Sequence, residues 1–98
     1  MRAPYSEYVG HCMRFYARNT EHVLLRTPVD QANWLSCHKA LKSFPLHEQK
    51  ILLELYRRRD EMANTVHLVA NTTGMTREAV WKLAAAFEKR AAQERGLL

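Results

Sequence analysis

Asn64-Thr65-Val66-His67-Leu68-Val69-Ala70-Asn71-Thr72-Thr73-Gly74-Met75-Thr76-Arg77-Glu78-Ala79-Val80-Trp81-Lys82-Leu83-Ala84-Ala85-Ala86-Phe87-Glu88-Lys89-Arg90-Ala91 is the stretch around which the chain is organised. Val66, Val69 and Ala70 are spaced to make one apolar face of a short helix. Gly74 supplies a residue that tolerates positive φ, as a tight corner between helices requires. Thr76 can cap the following helix through its hydroxyl, with Glu78 in the positive first turn. Beyond it, Val80, Leu83, Ala84, Phe87 and Ala91 recur at helical spacing on a common face. The pattern predicts helix, short turn, helix over 64–95, with small Ala70 where two axes approach and Gly74 at the corner. That is helix-turn-helix geometry, in which the outer face of the second helix is offered to the major groove.

Working outward, 98 residues suit one domain, and 47% apolar with 26% charged residues is ordinary for a soluble globular chain. Three Gly and three Pro, scattered, argue against a disordered or collagenous chain. Abundant Ala, Leu, Glu, Lys and Arg point to an all-α fold, a compact four- to five-helix domain. Fifteen Lys and Arg against ten acidic residues give a net charge of +5, which steers encounters toward polyanions or acidic protein surfaces. No apolar signal-peptide core follows the first residues, and no stretch approaches membrane-spanning length. Cys12 and Cys37 lack CxxC spacing and the density of a disulfide scaffold, although two cysteines can in principle pair. A reduced, cytoplasmic setting is the expectation.

In chain order, Pro4 to Ala17 is the first helical candidate, with Tyr5, Tyr8, Val9, Cys12, Met13 and Tyr16 on a broad aromatic and apolar face. This face reads either as core-facing support or, being wide, as a homodimer surface through helix 4–17. Asn19 to Pro28 is a connection, in which Val23, Leu24 and Leu25 form an apolar tether. The N-terminal support helix and connection thus occupy 1–28 and the remaining helical part 29–98. Asp30 is the expected N-cap of the next helix, with Asn33 at N3 and Val29 and Trp34 as a hydrophobic staple. Trp34, Leu35, His38 and Leu41 continue its face. Phe44-Pro45 ends it, because the residue before proline is pushed out of the α region. A third helix follows from Leu46 to Arg57, with Ile51, Leu52, Leu55 and Tyr56 buried, and a fourth begins near Met62 to Asn64. The fifth runs from Arg77 to Arg95, with Gly96 as C-terminal cap and Leu97 folding back.

With these residues laid out, the chain resembles region 4 of the bacterial sigma-70 family over Asp30 to Leu98. Phe44-Pro45-Leu46-His47-Glu48-Gln49-Lys50-Ile51-Leu52-Leu53-Glu54-Leu55-Tyr56 looks like the proline-started helix of that region. Val66 through Trp81 looks like its helix-turn-helix, with Ala70 as the small residue, Gly74 as the turn residue and Val80 as the buried residue of recognition. The resemblance implies recognition of a promoter's upstream hexamer and contact with the flap of RNA polymerase. The Met62-Ala63-Asn64-Thr65 link departs from the family's shorter, Gly-containing one, and the length leaves no room for the promoter-melting domain. A small regulator of phage or mobile-element origin would fit this pattern.

The expected base contacts are Arg77, Glu78 and Trp81. An arginine near the N-terminus of a recognition helix can bond twice to guanine. Glu78 can accept from cytosine N4 or simply serve the helix dipole. Trp81 can meet a thymine methyl, a partner protein, or the motif's first helix and the N-terminal helix. The expected phosphate contacts are Asn64, Thr65, Lys82, Arg58, Arg59 and, farther along, Lys89, with Glu88 beside it on the outer side. Catalysis is not expected. His11, His22, His38, His47 and His67 are scattered without metal-ligand spacing, and adjacent Cys37 and His38 need not face one another. His38 reads as a hydrogen-bonded core or boundary residue. Neither cofactor nor metal is expected. The sequence reading is a sequence-specific duplex-DNA-binding transcription regulator, and its alternative is a helical protein–protein interaction or adaptor module on the same scaffold.

Overall fold

The computed structural model describes residues 3–21 and 27–98. Five α-helices follow one another in these residues: α1 Ser6–Arg18, α2 Pro28–Lys42, α3 Leu46–Arg57, α4 Met62–Thr73 and α5 Arg77–Arg95. The long α5 packs against all four others, whereas α4 touches only α3 and α5. The result is an all-α domain whose radius of gyration, 12.9 Å, is that of a compact chain of this length.

One continuous core is built from every helix. Met13 and Tyr16 of α1, Cys37 and Leu41 of α2, Leu52 and Tyr56 of α3, Val66 of α4, and Val80 and Phe87 of α5 are almost wholly buried. The stripes predicted on α3, α4 and α5 are the buried ones, except that Ile51 is only half-buried. A fully buried side chain of this size contributes about 1.5–3 kcal/mol by leaving water.

The helix ends follow from local chemistry. Gly74 adopts the left-handed conformation at φ 77 and its amide bonds to the Ala70 carbonyl at 3.0 Å, ending α4. Thr76 accepts from the Ala79 amide at 3.0 Å and starts α5, leaving a three-residue connection between the helices. Gly96 repeats the left-handed stop at φ 80, and the Leu97 amide reaches back to the Ala92 carbonyl at 2.8 Å. Gly74→Ala meets no atom within 4 Å, so its cost is purely conformational. It is expected to lower stability by about 1–2 kcal/mol, read as a lower urea midpoint with an unchanged slope; an unaltered midpoint would show that the corner relaxes.

Several expectations are corrected. The cap of α2 is Thr27, whose hydroxyl accepts from the Asp30 amide at 3.1 Å, so the helix begins at Pro28 rather than after Asp30. Proline suits the first helical position because its missing N–H has no intrahelical partner to lose, and Asp30 serves the helix dipole from within the first turn. Val29 is 54% exposed and makes no staple, and Leu35 is 46% exposed and off the core face. The first helix runs Ser6–Arg18 rather than from Pro4 to Ala17. His22, Val23, Leu24 and Leu25 lie outside the described residues.

Polar contacts tie the aromatic side of α1 to its neighbours. Tyr16 Oη lies 2.8 Å from His38 Nδ1, and the His38 ring stacks on Trp34 at 4.9 Å. Trp34 donates its indole N–H to the Asn19 carbonyl at 2.7 Å, so the tryptophan is a boundary anchor with its one donor satisfied. Asn33 Oδ1 accepts from both Tyr8 Oη at 2.9 Å and Arg95 Nε at 2.7 Å, joining α1, α2 and the last turn of α5.

Candidate nucleic-acid interface

The connection Gly74–Thr76 turns the chain so that α5 buries Val80, Leu83, Ala84 and Phe87 and leaves the opposite side to solvent. Met75 sits within this corner and packs against the core, which fixes the turn with an apolar contact that its loop position does not advertise. The solvent side begins with Arg77, which is exposed and engaged in no ion pair or hydrogen bond among the described residues. Glu78 and Lys82 form an ion pair at 3.2 Å with both side chains 77% exposed, so the pair contributes little to stability and either member is open to a stronger partner. Ala85, Ala86 and Lys89 continue the exposed side. The two alanines keep the surface low between Lys82 and Lys89.

Trp81 is 44% exposed, and beside it opens a cleft reaching the start of α1. Its indole therefore has one side in the protein and one toward solvent. Two residues expected at the surface, Glu88 on α5 and Thr65 on α4, are buried instead. Glu88 is only 8% exposed and accepts a hydrogen bond from Tyr56 Oη at 2.6 Å. Its place next to Phe87 on the helix turns it inward, toward a tyrosine far away in the sequence. Thr65 is 2% exposed, and its hydroxyl and amide both donate to the Glu61 carbonyl, at 3.3 and 3.1 Å. It stacks one turn before Val69 on the buried face of α4, which removes both groups from a phosphate-contacting role.

Asn64 stays exposed, with Nδ2 3.2 Å from Asp60 Oδ1. Arg58 is drawn to Glu54 at 2.7 Å, and Arg57 bonds the same carboxylate. The Arg57 hydrogen bond, outweighing a small desolvation cost and helped by Arg58, holds the Glu54 carboxyl below its ordinary range. Arg59 is exposed and has no ion pair among the described residues. Arg58 and Arg59 belong to the link between α3 and α4, and no hydrogen bond or ion pair joins them to the solvent side of α5.

The cysteines are placed for packing. Cys37 is 1% exposed and burial, followed by the nearby Cys12, pushes its thiol up to about 12. Burial also raises Cys12, partly offset by a hydrogen bond from Tyr8. A thiol held protonated in this way is a poor nucleophile, and His38 is occupied with Tyr16 and Trp34 rather than with Cys37. Both cysteines are free thiols. Among the described residues no group of three or more His, Cys, Asp or Glu side chains could hold a metal ion, and no helix is long and apolar enough to cross a membrane. No protein-family model matches the chain, and neither a curated protein nor a solved structure does.

Proposed function

We propose that the chain is a sequence-specific duplex-DNA-binding transcription regulator, with α4, the Gly74 corner and α5 acting as a helix-turn-helix of the sigma-70 region 4 kind. The observation that carries this reading is the exposed, unpaired Arg77 at the solvent-facing start of α5, on a helix capped by Thr76, with exposed Lys82 following one turn after Glu78. In this reading Arg77 addresses a base edge, Glu78 and Trp81 flank it, and Lys82, Lys89 and Asn64 meet phosphates. Arg59 would add to the phosphate set directly, and Arg58 once drawn away from Glu54. RNA polymerase is the proposed protein partner and the cytoplasm the proposed setting.

The test is selection from a random duplex library, followed by competition binding of the enriched duplex and a scrambled one. Arg77→Ala should lose roughly 1–3 kcal/mol of preference for the selected sequence. Equal weakening on both duplexes would defeat its base-reading role. Lys82→Ala should weaken both and reduce the steepness of the salt dependence by about one phosphate's share; an unchanged slope would remove it from the interface.

The protein-interaction reading draws on a different observation. Tyr8 and Phe15 are 42% and 43% exposed on α1, seven residues apart and so on one side of that helix. A homodimer or adaptor contact would use this side. Absence of duplex binding at low salt, together with concentration-dependent dimerisation lost in Phe15→Ala, would favour it over DNA.

A further inference from the structure

A cleft of about 440 Å³ lies between the start of α1, the first residue of α4 and the middle of α5. Its origin is legible along one side of α5. Trp81 and Glu88 are seven residues apart, two turns on the same side and about 10 Å along the axis, and the positions between them that line the cleft are Ala84 and Ala85. Two small residues between two large ones leave a slot. Tyr5 and Ser6 from the start of α1 and Met62 from α4 close its other sides.

The slot is chemically polarised. Along α5 one end is marked by the indole of Trp81, and Met62 and Tyr5 add apolar and aromatic lining to the slot. At the other is Glu88, more than nine-tenths buried, with one carboxyl oxygen accepting a hydrogen bond from the Tyr56 hydroxyl at 2.6 Å. Buried acids in proteins are paired with cations or metals, because an uncompensated charge is costly away from water. Glu88 has no such partner among the described residues: the ion pairs use Glu54, Glu78 and Glu94. Its own helix cannot supply one either, since the residues three and four away on each side are Ala84, Ala85, Ala91 and Ala92.

We propose that this slot binds a small organic cation, a primary ammonium carried on an apolar or aromatic body, with the ammonium at Glu88 and the body against Trp81, Met62 and Tyr5. An ammonium supplies the countercharge that Glu88 lacks among the described residues and donates to its carboxylate alongside the Tyr56 hydroxyl. The apolar body displaces water from a surface of indole and thioether that is otherwise exposed, and the indole adds attraction for the cation's methylene groups. The site does not depend on the DNA reading, although a ligand seated against Trp81 would lie beside the proposed groove-facing side of α5.

The experiment is a titration of the whole chain, without nucleic acid, with 2-phenylethylamine at neutral pH and in parallel with 2-phenylethanol, its uncharged counterpart of the same shape. Binding is followed by nuclear magnetic resonance at the Trp81 indole N–H and the backbone amides of 84–88. The amine is expected to shift these signals and to bind about tenfold or more tightly than the alcohol. Glu88→Gln, which can still accept the Tyr56 hydroxyl, should bring the amine down to the alcohol's affinity. Ala85→Leu, at an exposed position, should fill the slot and abolish binding of both while leaving Glu88 in place, so the test survives if Glu88→Gln does not fold. Equal affinity for amine and alcohol in the native chain, shifts confined to other parts of the protein, or undiminished binding by Ala85→Leu would each overturn the proposal. Because no duplex is present, failure here leaves the DNA reading untouched.

Discussion

Phe87→Ala is expected to remove about 3–5 kcal/mol of stability, a large part of the 5–15 kcal/mol that typically holds a domain of this kind together. Phe87 has no exposed surface, and its ring lies 6.2 Å from that of Phe44 and 5.9 Å from that of Tyr56, both tilted. It thus closes the contact between α5, the end of α3 and the segment following α2. Truncation deletes the ring's buried area and leaves a cavity between α5, α3 and the α2–α3 link that their packing closes only in part. Phe87→Leu keeps much of the volume and should cost less than half as much. Urea denaturation followed by circular dichroism would measure both, and a loss below about 1 kcal/mol for the alanine variant would mean that the site collapses freely.

The second large effect is expected from Tyr56→Phe. This change keeps the ring that packs against Phe87 but deletes the hydroxyl that donates to Glu88, a pair with both members buried. Hydrogen bonds to a charged group carry about 1.5–3 kcal/mol, and losing the donor strands the acid. The direction can be separated from general damage by a second substitution. Glu88→Met, made in the Tyr56→Phe background, removes the stranded group and should recover part of the loss, since an apolar replacement of a buried polar pair is often tolerated. If the two losses simply add, the hydroxyl and the carboxylate are not acting on one another, and the short distance between them has no energetic meaning.

How much of this could be read from residues alone differs from place to place. Gly74, Thr76 and Gly96 act through their own backbone or the nearest amides, so α5 has the bounds that they announce. At the start of α2 two local signals competed. Asp30 is a good cap, but Thr27 followed by Pro28 is a better start because the proline needs no donor partner. Thr65 shows the opposite difficulty: its spacing from Val69 places it on the buried face, while its hydroxyl suggests solvent until the Glu61 carbonyl is known to satisfy it. Glu88 was beyond local reading altogether. Its partner Tyr56 is 32 residues away, and only the packing of α3 against α5 brings them together. The outer residues of α5 are the least determined by packing, since exposure of Arg77 and Lys82 is compatible with any anionic partner.

The junction at Asn33 bears on how the polypeptide is made. Its one carbonyl receives Tyr8 from α1 and Arg95 from the last turn of α5, and Phe87 and Ala91 of α5 fill the core that α1 to α4 line, so those four helices have no finished interior until α5 exists. During translation, α1 to α4 would leave the ribosome with the seat for Phe87 and Ala91 still vacant, open to water and to chaperones. Completion of the domain therefore belongs to the moments after Arg95 clears the exit tunnel, and a ribosome stalled within α5 would hold an adhesive, protease-sensitive nascent chain.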